Sequence, residues 1–226
     1  MMERKYQSIY YIILIIIGLI FIYPKGLTYS DQLLNESFLK AIYAKDYPSM
    51  DKLLKEGIDI NAPIREDLTP LAEAAFLGDL NVVDYLLKKG AKIEGTSTRP
   101  NSPIYFAIIK ANIAIVKRFL DLGVSSNYAW PKHGGTLLTV AVDFNHLNIV
   151  KLLVERGADV NFIGNGNYSP LYRSIFSDYF DIFKFLLSKG ARLSERDKVA
   201  LFEMQWETAE KNKKYIKLLH REKRGT

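Results

Sequence analysis

The sequence contains no cysteine and only three histidines among its 226 residues. The absence of cysteine excludes disulfides, thiolate catalysis and cysteine-based zinc sites. The histidines form no pair at metal-ligand spacing on a predicted helix; they are His133, His146 and His220. The sequence also has no P-loop, no dinucleotide-binding fingerprint and no G-x-S-x-G motif. We therefore predict that the chain is not an enzyme and that it holds no metal and no cofactor.

The sequence also lacks a continuous basic stripe, although its formal net charge is +6. Residues 1–30 contain three basic and one acidic residue, residues 31–194 nineteen and eighteen, and residues 195–226 nine and six. The central part of the chain is thus nearly neutral. A nucleic-acid-binding protein needs a basic patch or stripe on its working face. We predict that nucleic acid is not a partner.

One long hydrophobic run is present at the start of the chain, from Tyr6 to Pro24, and it is free of charge. Its nineteen residues would form a helix of about 28 Å, close to the hydrocarbon thickness of a bilayer. Arg4 and Lys5 precede the run, which by the positive-inside rule places the rest of the chain outside the cytoplasm. The residues predicted to lie in the membrane are Ile12, Ile13, Leu14, Ile15, Ile16, Ile17, Leu19, Ile20, Phe21 and Ile22.

Two interpretations of this segment, residues 1–30, remain open at the level of sequence. The favoured one is the anchor of a single-pass membrane protein whose following part is extracytoplasmic, and periplasmic if the source is bacterial. The alternative is a signal peptide whose cleavage leaves a secreted or periplasmic protein. The run is long for a signal peptide and has no A-x-A type of cleavage site, which favours the anchor.

Five later segments share one pattern, in which an apolar helix-like stretch ends at a glycine. The intervals between these glycines are 33, 33, 34 and 33 residues, at Gly57, Gly90, Gly123, Gly157 and Gly190. A small residue upstream keeps the same intervals, at Ala41, Ala74, Ala107, Ala141 and Ser174. A constant period of this size predicts a stack of repeated structural units.

The start of each unit has a second signature, which is clearest at Thr69-Pro70-Leu71-Ala72-Glu73-Ala74. A hydroxyl residue before proline suits the start of a helix, because the hydroxyl caps free N–H groups and proline is tolerated in the first turn. Looser copies are Ser102-Pro103-Ile104, Thr136-Leu137-Leu138 and Ser169-Pro170-Leu171. Together with the period, this motif resembles the T-P-L-H-x-A motif of the ankyrin repeat family. The family's histidine is replaced in every copy, by Leu39, Ala72, Tyr105, Thr139 and Tyr172.

The resemblance implies an all-α fold, an ankyrin-type repeat solenoid of stacked helix pairs joined by β-hairpin-like fingers. One N-terminal hydrophobic helix would precede it. The repeat domain would cover residues 31–226, with a polar link at 27–34, a first helix at 36–44 and repeats at 35–64, 65–97, 98–131, 132–164 and 165–197. Residues 198–226 would form a degenerate C-terminal cap with Phe202 and Trp206 in its core, because an open stack has to shield its last apolar face.

The resemblance also implies where a partner would bind, namely along the fingers and the exposed face of the first helices, which together form a concave groove. Aromatic residues and arginine dominate interface hot spots, and both types occur at these positions. The predicted partner-binding residues are Tyr43, Arg65, Phe76, Arg99, Ile109, Lys110, Trp130, His133, Phe144, Tyr168 and Phe176. An alternative is that these rings fold down onto neighbouring repeats, and Trp130 could equally pack inside its own finger.

The functional hypothesis is a non-enzymatic, monomeric protein–protein interaction module, tethered to a membrane and displayed outside the cytoplasm. Two alternatives remain. One is an immunity-type inhibitor that covers the active site of a secreted toxin. The other is an enzyme or metal-binding site in the irregular C-terminal segment.

Overall fold

The computed structural model describes residues 29–65, 68–93, 102–130, 135–163, 168–203 and 210–222. The chain divides into two compact units, residues 1–59 and residues 60–226. Within the described residues all regular structure is helical, and the connections contain isolated β-bridges instead of strands. The predicted all-α class is therefore confirmed. The hydrophobic helix predicted at residues 6–24 lies outside the described residues.

The predicted membrane localisation has to be corrected. None of the helices that the structure describes is long and apolar enough to cross a membrane. The longest of them, Tyr29–Ala44, has 16 residues, whereas a spanning helix needs about 20 predominantly apolar ones. This finding contradicts the prediction of a single-pass membrane protein with extracytoplasmic repeats.

The described part of the first unit is a helix pair, α1 (Tyr29–Ala44) and α2 (Tyr47–Lys55). Helix α1 begins earlier than predicted and includes most of the expected polar link at 27–34. The sequence explains the difference, because residues 29–35 contain no glycine or proline and Asp31 lies in the first turn, where the helix dipole favours an acidic side chain. The core of the pair contains Phe38 and Met50, which are buried completely.

The start of α2 is fixed by Asp46, whose side chain caps the helix. Its Oδ2 accepts a hydrogen bond from the Ser49 hydroxyl at 2.5 Å, and its Oδ1 accepts one from the Ser49 main-chain N–H at 3.1 Å. The hydrogen bond from the Ser49 hydroxyl has the largest effect and the main-chain hydrogen bond a smaller one, and together they hold the pKa of Asp46 below its ordinary value. The cap is therefore complete above the ordinary aspartate pKa and is lost as the pH falls through the lowered one.

The second unit contains four consecutive helix pairs. They are α3 (Pro70–Leu77) and α4 (Leu80–Lys88), α5 (Pro103–Ile109) and α6 (Ile113–Asp121), α7 (Leu137–Asp143) and α8 (Leu147–Glu155), and α9 (Pro170–Phe176) and α10 (Phe180–Ser188). The first helices of the pairs pack side by side in chain order, and so do the second helices. The small residues that keep the period are buried at these contacts, at Ala74, Ala107, Ala141 and Ser174. The predicted stack of helix pairs is therefore confirmed.

The predicted starts of the first helices are also confirmed, and three of the four have the expected hydroxyl cap; Ser102 precedes α5 without a side-chain cap hydrogen bond. The hydroxyls of Thr69 and Ser169 accept hydrogen bonds from the main-chain N–H groups three residues later, at 3.3 and 3.1 Å. At α7, Thr136 and Thr139 form a reciprocal capping box. Thr139 occupies the position where the family has histidine, so in this repeat a hydroxyl takes over bonds at the helix start.

The turns between the two helices of a pair require a left-handed residue. In the pair α3–α4 this residue is Gly78, with a φ of +81°. Ala111 and Asn145 adopt a φ of +57° at the corresponding turns. A side chain in this conformation costs about 1–2 kcal/mol, which glycine avoids.

We therefore expect Ala111→Gly to raise the free energy of unfolding by about 0.5–1 kcal/mol. The substitution relieves the backbone strain at this position, but part of that gain is lost because glycine has more conformational freedom in the unfolded chain. The matched control is Ala114→Gly, the same change on the exposed surface of α6, which should lower that free energy by about 0.5–1 kcal/mol. Chemical denaturation of both variants measures the two values. Equal losses at the two positions would contradict the strain assigned to Ala111.

Three asparagines that follow closing glycines, Asn61, Asn127 and Asn161, connect neighbouring repeats. The Asn127 Oδ1 accepts the main-chain N–H of Asp159 at 2.8 Å, and its Nδ2 donates to the Gly157 carbonyl at 3.1 Å. Asn61 and Asn161 bridge in the same way to the segments about 30 residues later. The fingers begin beyond these asparagines as hairpin-like turns, two of which contain the bridges Arg65–Leu68 and Ala129–Thr136.

The last part of the second unit departs from the repeat. Helix α11 (Glu195–Glu203) follows α10 closely, and helix α12 (Lys213–Glu222) comes after a 3-10 turn at Glu210–Asn212. Tyr215 of α12 is completely buried against α10. Phe202 of α11 is 83% exposed, so the prediction that it lies in a core was wrong. Trp206 lies outside the described residues.

Candidate functional site: the inner stripe

The last turns of the first helices place one set of side chains in register along the second unit. We call this set the inner stripe, and it consists of Phe76, Leu77, Ile109, Lys110, Asp143, Phe144, Phe176 and Ser177. Phe144 is 45% exposed and Phe176 is 64% exposed, on neighbouring helices α7 and α9. Contiguous patches of exposed apolar side chains often mark interaction sites on soluble proteins.

Phe76 differs from these two rings because it packs on the next repeat. Its ring makes an edge-to-face contact with Phe106, at 5.9 Å between centroids. The Nζ of Lys110 lies 4.2 Å from the centre of the same ring. The alternative left open by the sequence, that rings fold onto neighbouring repeats, therefore applies to Phe76 and not to Phe144 or Phe176.

Trp130 is buried, with 4% exposure, which agrees with the expectation that it packs within its finger and not with the expectation that it binds a partner. Its ring makes edge-to-face contacts with Tyr105 at 5.6 Å and Tyr128 at 5.4 Å. Its main-chain N–H donates to the Gly135 carbonyl across the finger at 3.0 Å. Trp130 thus holds its finger against α5, and a partner would not reach its ring.

A ladder of three rings runs along α9 from the base of its finger, at Tyr168, Tyr172 and Phe176. Tyr168 stacks on Tyr172 at 4.3 Å, and Tyr172 stacks on Phe176 at 6.1 Å. The four-residue spacing puts Tyr172 and Phe176 on one face of the helix, and Tyr168 stacks on Tyr172 from the position before the N-cap Ser169. Burial raises the pKa of Tyr172, and the nearby Tyr168 and Asp197 act in the same direction. Tyr172 is therefore uncharged at neutral pH, and the ladder presents Phe176 at its exposed end.

The second exposed ring is held by a histidine. Phe144 stacks on the imidazole of His146, with 6.2 Å between the ring centres. The Nε2 of His146 lies 3.2 Å from the Ile109 carbonyl oxygen and donates to it in the Nε2–H tautomer. The ring of Phe144 is thereby linked to the preceding repeat while one of its faces stays accessible.

Charge on the stripe is largely paired. Arg173 of α9 donates to the Asp143 carboxylate on α7 at 2.6 Å, and its Nε donates to the Tyr168 carbonyl at 3.3 Å. A cation at the far end of the ladder, the Arg196 guanidinium, lies 5.1 Å from the centre of the Tyr168 ring.

The other predicted partner-binding residues are distributed as follows. Tyr43 lies in the first unit, where it is 46% exposed. Arg65 is exposed at the first finger of the second unit, and Ile109 is half-buried on the stripe. Arg99 and His133 lie outside the described residues.

The sequence prediction missed the contacts between repeats, including the pair Asp143–Arg173. Similar pairs join Asp84 to Arg118 at 2.6 Å and Asp121 to Arg156 at 2.7 Å. The members of each pair are separated by 30, 34 or 35 residues. The sequence does contain a signal for these ion pairs, namely an acidic residue followed by a basic residue about one repeat period later.

No group of three or more histidine, aspartate and glutamate side chains that could hold a metal occurs in the part of the chain that the structure describes. A cavity of about 160 Å³ lies away from the stripe, at the base of a finger, and its lining includes Ile93, Ile104, Val124 and Tyr128. Ser102 and Ser125 also line the cavity, and no acidic, basic or histidine side chain is among its lining residues.

Comparison with known proteins agrees with this architecture. A family model described as ankyrin repeats (3 copies) matches residues 71–163 and 107–197. The chain is 33% identical over 149 residues to the putative ankyrin repeat protein FPV031 of fowlpox virus, covering 62% of this chain and 43% of that protein. It is 26% identical over 162 residues to FPV034 of the same virus, covering 72% of this chain and 38% of that protein.

A further relative is the phosphocholine transferase AnkX of Legionella pneumophila. The identity is 34% over 140 residues, which is 58% of this chain and 14% of that protein. The chain thus spans less than half the length of each of these three relatives.

Proposed function

Since the chain belongs to the ankyrin repeat family, we propose that it binds a segment of another protein along the inner stripe, with Phe144 and Phe176 as the apolar anchors. Ankyrin repeats are protein–protein interaction modules, and the family is in general non-enzymatic. A stack of repeats presents an extended surface in place of a closed pocket.

The observation that carries the proposal is the exposure of Phe144 and Phe176 on adjacent helices, although other rings of the same face are covered. Each ring is pre-positioned, since Phe144 stacks on His146 and Phe176 stacks on Tyr172. A pre-positioned aromatic side chain loses little conformational freedom on binding, so more of the contact energy appears as affinity.

The proposed mode of action is non-catalytic. The match to AnkX covers 14% of that protein, so the transferase activity in that protein's name does not support catalysis by this chain. The immunity-type alternative has no support in these observations.

The test is retention of a partner by the full chain and by its variant Phe144→Ser/Phe176→Ser. We expect the double substitution to weaken binding by about 2–4 kcal/mol, because aromatic anchors at interface centres contribute this much. The readout is the dissociation constant of any protein that the unmodified chain retains from an extract of the source cells.

The matched control is Phe162→Ser/Phe202→Ser, the same chemical change at two exposed rings that lie off the inner stripe. It should leave the dissociation constant unchanged. Circular dichroism shows whether all three proteins are folded. Equal binding by the unmodified chain and the stripe variant would exclude the inner stripe as the binding surface.

A further inference from the structure

We propose that the cavity of about 160 Å³ at the base of a finger binds a primary carboxamide carried on a small apolar group. The ligand would supply, from outside the chain, an amide that other junctions between repeats take from an asparagine side chain. The cavity lies away from the inner stripe, so this proposal does not depend on the proposed function.

At three junctions one asparagine amide binds two main-chain groups of the next repeat. The amide oxygen accepts an N–H at 2.8 Å in each case, from Asn61, Asn127 and Asn161 in turn. The amide nitrogen donates to the carbonyl of the next closing glycine, at 3.4, 3.1 and 3.2 Å. The N–H always belongs to the residue two positions after that glycine. This pair of groups, one donor and one acceptor, matches a primary amide.

The junction that leads to Gly123 departs from this pattern. At the other three junctions the asparagine comes four residues after a closing glycine, whereas Glu94 occupies that position after Gly90. An ionised carboxylate has no hydrogen to donate to a carbonyl, so glutamate does not replace the amide. The corresponding main-chain groups are the Gly123 carbonyl and the Ser125 N–H. Within the described residues, neither of these two groups takes part in a hydrogen bond.

The cavity lies at this junction, because Gly123 and Ser125 are among its lining residues. Ser102 lines it as well and is 6% exposed. In the described part of the chain the Ser102 hydroxyl has no hydrogen-bond partner, and it does not cap α5. No hydrogen bond therefore holds this hydroxyl in place, so it is able to turn towards a ligand. A buried polar group without a partner is costly, which favours a ligand with polar atoms at this side of the cavity.

The rest of the lining is apolar and consists of Ile93, Ile104, Val124 and Tyr128. An apolar cavity of about 150 Å³ holds one benzene molecule, so the volume here suits a single ring or a branched chain of similar size. A charged ligand would lose its hydration without meeting an ion partner, because no acidic, basic or histidine side chain is among the lining residues. The chemistry of the cavity therefore favours a neutral carboxamide over a carboxylate or an amine.

The experiment is a titration of the ¹⁵N-labelled full chain with benzamide, followed by two-dimensional NMR. We expect a saturable shift of the Ser125 amide resonance, which gives the dissociation constant. Acetophenone has a methyl group in place of the amide nitrogen and offers no donor to the Gly123 carbonyl. Benzoate has no donor either and carries a charge. Both should bind at least about tenfold more weakly than benzamide.

A variant places the binding in the cavity. Val124→Phe puts a larger side chain at a half-buried lining position, and we expect it to weaken benzamide binding by about tenfold or more because the ring takes up the space. The matched control is Val199→Phe, the same change at a 56% exposed position of α11, which should leave the dissociation constant unchanged. Circular dichroism shows whether both variants are folded, and the comparison of the three compounds does not depend on either variant.

Two results would overturn the proposal. Equal dissociation constants for benzamide, acetophenone and benzoate would show that the cavity does not recognise the amide. A Ser125 resonance that does not saturate with benzamide, or equal binding by folded Val124→Phe and Val199→Phe, would exclude the cavity as the site. Neither result bears on the inner stripe, which is tested through Phe144 and Phe176.

Discussion

Replacing Phe119 by alanine is expected to lower the free energy of unfolding of the second unit by about 4 kcal/mol, since removal of a buried phenylalanine costs both transfer energy and a cavity. Phe119 lies on α6 and is buried completely. Helix α6 packs between α4 and α8, so the cavity would open in the middle of the stack. Repeats of a stack stabilise one another mainly through neighbouring interfaces, and the loss should therefore reach the repeats on both sides.

Urea denaturation measures the free energy, and amide hydrogen exchange shows how far the effect spreads. We expect weaker protection in α4, α6 and α8 together. The matched variant Phe119→Leu keeps an apolar side chain of similar volume and should cost about 1 kcal/mol. If Phe119→Ala also lowered the free energy of unfolding by only about 1 kcal/mol, Phe119 would not be a core residue.

Replacing Tyr215 by alanine is expected to cost a similar amount, about 4 kcal/mol, with a different distribution along the chain. The Tyr215 ring is buried completely, with its centre 5.2 Å from that of Phe180 and 4.8 Å from that of Phe183. Because α12 lies at the end of the described stack, the loss should release α12 and leave the protection of α4 and α6 unchanged.

Tyr215→Phe separates the ring from the hydroxyl. The hydroxyl donates to the Asp178 carboxylate at 2.6 Å, and loss of this hydrogen bond should cost about 1 kcal/mol. Burial, together with this hydrogen bond, raises the pKa of Tyr215 well above its ordinary value. The contribution of the hydroxyl is therefore complete below the ordinary tyrosine pKa and lost only as the pH rises towards the raised one. If Tyr215→Ala reduced the amide-exchange protection of all the repeats equally, the local role of Tyr215 at the end of the stack would be contradicted.

The repeat could be predicted from the sequence because its strongest signals are local. Pro70 and Gly157 mark helix ends through backbone conformation alone, and buried Ala74 and Ala107 mark contacts that admit only small side chains. The start of α1 at Tyr29 was missed because polar residues such as Asn35 permit a helix without requiring one. The exposure of Phe202 was missed because α11 begins outside the register that the period predicts.

The candidate site was predictable in position but not in detail. The period places Phe76, Phe144 and Phe176 near the ends of the first helices, and the structure agrees. Whether a ring is covered depends on neighbours a repeat away, such as Phe106 over Phe76. The burial of Trp130 depends likewise on Tyr105, which precedes it by most of a repeat. Such contacts are set by packing across the stack, which a periodic pattern does not specify.

The central claim, that the protein binds its partner along the inner stripe, is tested most directly by site-specific photocrosslinking. A photoreactive phenylalanine analogue replaces Phe144 or Phe176 in one pair of variants, and Phe162 or Phe202 in the other. After irradiation in an extract of the source cells, we expect covalent adducts with another protein at Phe144 and Phe176 and none at the other two positions. Adducts at Phe162 or Phe202, with none at Phe144 and Phe176, would contradict the claim.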